Sequence, residues 1–170
     1  LENKESISKS FEDTITDSVV ESLNQGTQTP QTKEELRTHF DTLVNASEST
    51  SVDTTHLSES TKKVIKGTKT VAEAYRKLEK AWERAKTPTE KADYLEALVE
   101  VHGKLIEAQS AGVALDNHGV LAALPAETLA PVKGLVESLH GIANSDMTKF
   151  LNDPSYLEVE ARINQRIADG

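Results

Sequence analysis

A chain of 170 residues with 36% hydrophobic and only 4% aromatic residues has too little apolar surface for the broad core of a layered sheet protein, and suits narrow stripes on helices. The absence of cysteine excludes disulfides, thiolate catalysis and cysteine-ligated zinc or iron–sulfur sites. A net charge of −9 opposes phosphate backbones and anionic membranes, and no window approaches the roughly 18 apolar residues that a spanning helix requires.

From the N-terminus, Ile7, Phe11, Ile15, Val19 and Leu23 recur every fourth residue and predict a helix over residues 5–24, stopped by Gly26. Pro30 interrupts the chain. Thr32 and Glu35 then form a capping-box pair, each side chain placed to satisfy a free backbone N–H of the other, and Leu36, Phe40, Leu43 and Val44 carry the helix to about residue 46. Ser and Thr number 23 in residues 1–70 and 8 in residues 71–170. Their densest stretch, Ser47 to Thr61, reads as a linker and suggests a division into a Ser/Thr-rich acidic segment, 1–55, and a main bundle, 56–170.

Residues 56–86 carry the most regular pattern. Leu57, Thr61, Val64, Thr68, Val71, Tyr75, Leu78, Trp82 and Ala85 alternate spacings of four and three, the seam of a heptad, which predicts one long central helix. Ser60, Gly67, Ala74 and Ala81 add a small residue at every seventh position beside it. So broad an apolar face predicts burial of Val64, Val71, Tyr75, Leu78 and Trp82 within the chain, against residues 92–108 and the helices after 128. On the far side Lys62, Lys66, Lys69, Arg76, Lys77, Lys80 and Arg84 make a basic face. Residues 61–110 carry 11 bases against 8 acids, whereas residues 1–60 carry 4 against 12.

Thr87-Pro88-Thr89-Glu90 reads as an N-cap, a proline at the first helical position and a capping glutamate, so a tight hairpin is expected at 86–88. The following helix bears Tyr94, Leu95, Leu98, Val101, Leu105, Ile106 and Ala108, with Gly112 as its stop. Residues 113–126 read as a short helix within a loop. Thr128 or Pro131 opens a helix with Leu129, Val132, Leu135, Val136, Leu139 and Ile142 on its face. Ser145 can cap a turn bearing Met147, Phe150 and Leu151, and Asp153-Pro154 begins a last helix with Tyr156, Val159, Ile163 and Ile167 on one side. No alternation persists long enough for a strand. The expected architecture is an all-α bundle of five to six helices.

Chemistry-bearing patterns are sparse. Glu137 and His140 make one Glu-x-x-His step, whereas a di-iron carboxylate bundle needs two such steps and two further carboxylates. Asp116-Asn117-His118-Gly119 is a polar cluster in an apolar neighbourhood and reads as a turn. Gly103-Lys104 lacks the first glycine of a phosphate loop, and Ser60-Thr61-Lys62-Lys63 has no companion catalytic motif. His102 reads as a hydrogen-bonded bundle residue. No cofactor, metal site or catalytic residue is expected.

The basic face lacks interleaved aromatics for nucleic acid and an adjoining apolar face for a membrane surface. It is left to solvent, to the acidic N-terminal helices or to an acidic partner protein. The expectation is therefore a non-enzymatic helical protein–protein interaction module. Leu1 at the start, Met147 as the single methionine and the absent cysteine suggest part of a larger secreted, surface-displayed or translocated bacterial protein. The alternative is a self-assembling structural or scaffolding subunit.

Overall fold

The structure, a computed structural model, describes residues 4–143 and 148–169. Among these residues there are ten α-helices and no strand, so the fold is an all-α bundle.

Residues 5–24 fold as two helices, α1 (Lys4–Thr14) and α2 (Asp17–Asn24), not as one. A stripe spaced by four advances around a 3.6-residue helix by about 40° per step, so Ile7 and Leu23 would point about 160° apart on a straight helix. The break at Thr16, whose hydroxyl accepts from the Val19 N–H, re-aims the second half. Ile7, Phe11, Ile15 and Val20 are thereby all buried. α3 (Lys33–Ala46) starts at the expected capping box, with Thr32 Oγ1 accepting from the Glu35 N–H at 3.1 Å and Glu35 Oε1 from the Thr32 N–H at 3.4 Å.

The long helix expected over 56–86 is also two, α4 (Glu59–Lys66) and α5 (Val71–Arg84). Gly67 caps α4, and Thr70 caps α5 by accepting from the Glu73 N–H at 3.2 Å. The heptad spacing hid both signals. A break frees backbone groups that need partners. They find them in the stretch that had read as a linker: Ser47 O accepts from Val71 N at 2.8 Å, Ser49 N donates to Lys69 O at 3.0 Å, and Ser49 Oγ donates to Thr68 O at 2.7 Å. Ser47 and Ser49 are buried, and a 3-10 turn at Ser49–Ser51 completes this clamp.

The long central helix is the next one, α6 (Pro88–Asn117), 30 residues and roughly 45 Å at 1.5 Å per residue. Thr87 Oγ1 accepts from the Glu90 N–H at 3.2 Å with Pro88 at the first helical position, while the Glu90 carboxylate takes the Lys86 N–H at 3.4 Å. Thr87→Ala is expected to destabilise the fold by about 0.5–2 kcal/mol, the usual cost of a lost N-cap. An unfolding curve identical to that of the unsubstituted protein would show that the cap is dispensable.

Gly112 does not stop α6. It lies buried within the helix, where an added Cβ would come 3.1 Å from Val136 Cγ2 and 3.5 Å from Leu43 Cδ1. The stop comes at His118 and Gly119, whose φ of +80° is the left-handed conformation that favours glycine. α7 (Val120–Ala123) follows, then α8 (Ala126–Ala143), which begins before both expected starts and carries Pro131 inside. Its first turn is closed by Pro125 O, accepting from Thr128 N and Leu129 N. α9 (Thr148–Leu151) and α10 (Pro154–Asp169) complete the chain. The expected capping residue Ser145 and Met147 lie outside the described residues. Asp153 caps α10, taking the Ser155 N–H at 2.9 Å and its hydroxyl at 2.6 Å. The Ser155 hydroxyl holds the Asp153 carboxyl below its ordinary pKa.

α6 is the axis around which α3, α5, α8 and α10 pack. Leu95, Leu98, Val101, Leu105 and Ala108 on it are fully buried. Val71, Tyr75, Leu78 and Trp82 of α5 are buried as expected, and Val64 partly. Trp82 meets Phe150 edge-on, ring centroids 4.8 Å apart, and Lys91 sits over its ring. One hydrophobic cluster contains buried residues from 7–52 and from 57–159 alike.

Candidate functional site

The break between α4 and α5 changes the geometry of the basic face. Lys62 and Lys66 lie on α4, Lys69 in the turn, and Arg76, Lys77, Lys80 and Arg84 on α5. Spacings of four align Arg76, Lys80 and Arg84 along one row, opposite the buried Tyr75, Leu78 and Trp82. All seven are exposed except the half-buried Lys62. Lys62 Nζ lies 3.3 Å from Glu59 and Lys77 Nζ 3.5 Å from Glu73.

At the α4 end this surface dips into a groove of about 560 Å³ between α4 and residues 49–54. Lys62, Lys63 and Lys66 line one side, and Thr50 and Thr54 contribute hydroxyl-bearing side chains opposite. The groove exists because of the break and clamp, which a straight helix would not have made. Within the N-terminal part, Glu12 pairs with Lys33 and Arg37, and Glu48 with Lys4.

A second charged cluster was not anticipated from the sequence. Glu96, on α6 and only 6% exposed, accepts from Arg162 at 3.2 Å and from Arg166, both on α10. Arg162 also donates to Asp93 and Glu158, each at 2.9 Å, and Arg166 approaches Glu100 at 3.8 Å. His56 closes the cluster, its Nε2 3.0 Å from Glu100 Oε1. These carboxylates hold the Arg162 guanidinium more firmly protonated than usual, against the opposing effect of its partial burial. The available signal was a row of acids at 93, 96 and 100 on an apolar helix, answered by arginines four apart at 162 and 166. The arrangement straps α10 to α6.

The remaining candidates fall into structural places. His118 Nε2 lies 2.8 Å from Asn24 Oδ1, which also accepts from the Gln31 N–H at 3.0 Å, so the Asp116–Gly119 turn anchors the loop between α2 and α3. Glu137 and His140 are exposed, and His140 Nδ1 meets Gln109 Nε2 at 3.2 Å. The His102 ring lies 6.1 Å from that of Tyr75. Ser60 and Lys63 are exposed on α4. Among the described residues no three His, Asp or Glu side chains are grouped to hold a metal ion, and no helix is long and apolar enough to cross a membrane. Comparison with protein-family models, with curated proteins and with solved structures finds no match to this chain.

Proposed function

We propose that the chain is a non-enzymatic protein–protein interaction module that receives an acidic segment of a partner protein on the basic surface of α4 and α5. The observation that carries this reading is the exposed row Arg76, Lys80 and Arg84, standing on a helix whose opposite face is locked into the core. A cationic surface held on a rigid element attracts an acidic partner and fixes its register. The groove beside Lys62, Lys63 and Lys66 extends the surface and gives it a concave end. The overall charge of −9 repels a nucleic acid as this face attracts it, and no exposed aromatic side chain interrupts the cations to stack on bases. A cysteine-free chain with a Ser/Thr-rich acidic N-terminal part is compatible with a place in a larger secreted, surface-displayed or translocated bacterial protein.

The test uses a fluorescein-labelled oligoglutamate peptide and its oligoglutamine counterpart against the full chain. Each exposed ion pair contributes roughly 0.2–1 kcal/mol, so reversing three of them together weakens binding by about one to two orders of magnitude. The expected result is salt-sensitive binding of the acidic peptide alone, lost in the triple variant Arg76→Glu, Lys80→Glu, Arg84→Glu. Equal binding by the variant and the unsubstituted chain would refute the assignment.

A further inference from the structure

Two lysines of the groove between α4 and residues 49–54 lack a counter-charge. Lys63 and Lys66 both line it and are exposed, and no carboxylate among the described residues pairs with either. Their neighbour Lys62 is paired with Glu59, which also lines the groove. Three ammonium groups against one carboxylate leave the lining with a formal charge of +2. The last turn of α4, where Lys63 and Lys66 stand, is the negative end of that helix and favours cations there. It does not neutralise them toward the groove.

The opposite wall adds donors. The Ser49 and Thr68 hydroxyls are engaged with the Thr68 and Ile65 carbonyls, at 2.7 and 2.5 Å. Those of Thr50 and Thr54 form no hydrogen bond among the described residues. The two walls are held at a set distance, because Ser49 ties residues 49–54 to the end of α4 and the buried Thr61 and Ile65 fix α4 in the core. Helical spacing puts Lys62 and Lys66 one turn apart, with Lys63 on the same side of the groove. The site thus offers ammonium and hydroxyl donors from two directions and calls for a ligand bearing about two negative charges and several acceptor oxygens.

A carboxylate brings one charge and two oxygens in a plane. A phosphate monoester brings a charge of about −1.5 to −2 at pH 7 and three oxygens spread in different directions, which reach both walls. Lysines meet such a group as point charges. We propose that the groove is a phosphomonoester site, which receives a phosphorylated serine or threonine within the acidic segment of the partner. This rests on the reading of the α4–α5 surface as the place where that segment lies. The groove, at about 560 Å³, is far larger than one phosphate group and so admits the residues that flank it. The charge of the lining, rather than its openness, sets the occupant, since no unmodified side chain carries two negative charges.

The probes are a fluorescein-labelled oligoglutamate peptide with one central phosphoserine and its counterpart with serine, each added to the full chain and followed by anisotropy. The phosphopeptide is expected to bind at least about tenfold more tightly. That ratio should fall toward one in the double variant Lys63→Gln, Lys66→Gln. It should persist in Lys9→Gln, Lys133→Gln, which removes the same charge at two exposed sites elsewhere. Helical dichroism checks that each variant keeps its fold. Equal affinity for the two peptides overturns the proposal, as does a ratio that survives in the groove variant. Phenyl phosphate binding at the same lysines as tightly as the phosphopeptide would assign the groove to a free phosphorylated small molecule and overturn the partner-borne assignment. The Arg76→Glu, Lys80→Glu, Arg84→Glu variant separates this inference from the reading beneath it. Peptides of equal affinity that both depend on α5 strike the phosphate site alone. A phosphate preference that persists while α5 proves irrelevant keeps the site and discards the acidic segment.

Discussion

Phe40→Ala is expected to destabilise the protein by about 3–5 kcal/mol, the range for truncating a large buried aromatic side chain. Phe40 on α3 is fully buried and stacks on Phe11 of α1, ring centroids 4.5 Å apart and planes 23° from parallel. Such a pair adds roughly 0.5–1.5 kcal/mol beyond its buried area. The substitution removes the stack and leaves a cavity between helices that cannot close fully around it. The two rings bind the N-terminal helices to the same cluster that α6 organises, so denaturant unfolding followed by helical dichroism should shift as one transition. A loss under about 1 kcal/mol, or an early transition confined to part of the signal, would mean that α1–α3 unfold apart from the rest.

The second large effect is expected at Gly112. Leucine is a far better helix former than glycine, by roughly 0.8–1 kcal/mol, and at an exposed helical site Gly112→Leu would stabilise. Here α3 and α8 approach α6 so closely that even a Cβ would lie 3.1 Å from Val136. The three further carbons of leucine have nowhere to go without displacing Val136 or Leu43. Overpacking of this kind costs about 1–3 kcal/mol, and a net loss in that range is expected despite the gain in propensity. Gly112→Ala measures how far Val136 can yield. Unchanged or increased stability in Gly112→Leu would show that the α3–α6–α8 junction is looser than described.

These two positions show how differently the sequence speaks about one core. Phe40 announces itself through the apolar spacing of α3, and the capping box at Thr32 and Glu35 fixes where that helix begins. Gly112 misleads, because glycine after an apolar run is the common stop signal, whereas here it serves close packing inside a helix. The distinction depends on Leu43 and Val136, 69 and 24 residues away in the chain. Local signals do not carry such information. The break at Gly67–Thr70 was recorded in the sequence by a glycine and a Thr-x-x-Glu cap, yet an unbroken seam of spacings four and three was the stronger pattern. What permits the break is the clamp of Ser47 and Ser49, which satisfies backbone groups that a continuous helix would have satisfied itself.

The sequence by itself determined the all-α class, the burial of Val71, Tyr75, Leu78 and Trp82, the caps at Thr32, Thr87 and Asp153, and the presence of seven cations opposite an apolar stripe. These follow from helical periodicity and from the hydrogen-bonding needs of helix ends, both of which act over a few residues. Only the tertiary structure decided which helix is central, how the cations divide between α4, the turn after it and α5, that a groove lies beside the lysines of α4, and that Glu96 lies buried beneath Arg162 and Arg166. It alone decided that Ile106 and Val113 stay open while Ala92 and Leu95, on the same row, are covered. Each of these depends on where a segment distant in the chain comes to lie, and a helix's own pattern states which face must be covered without stating what covers it.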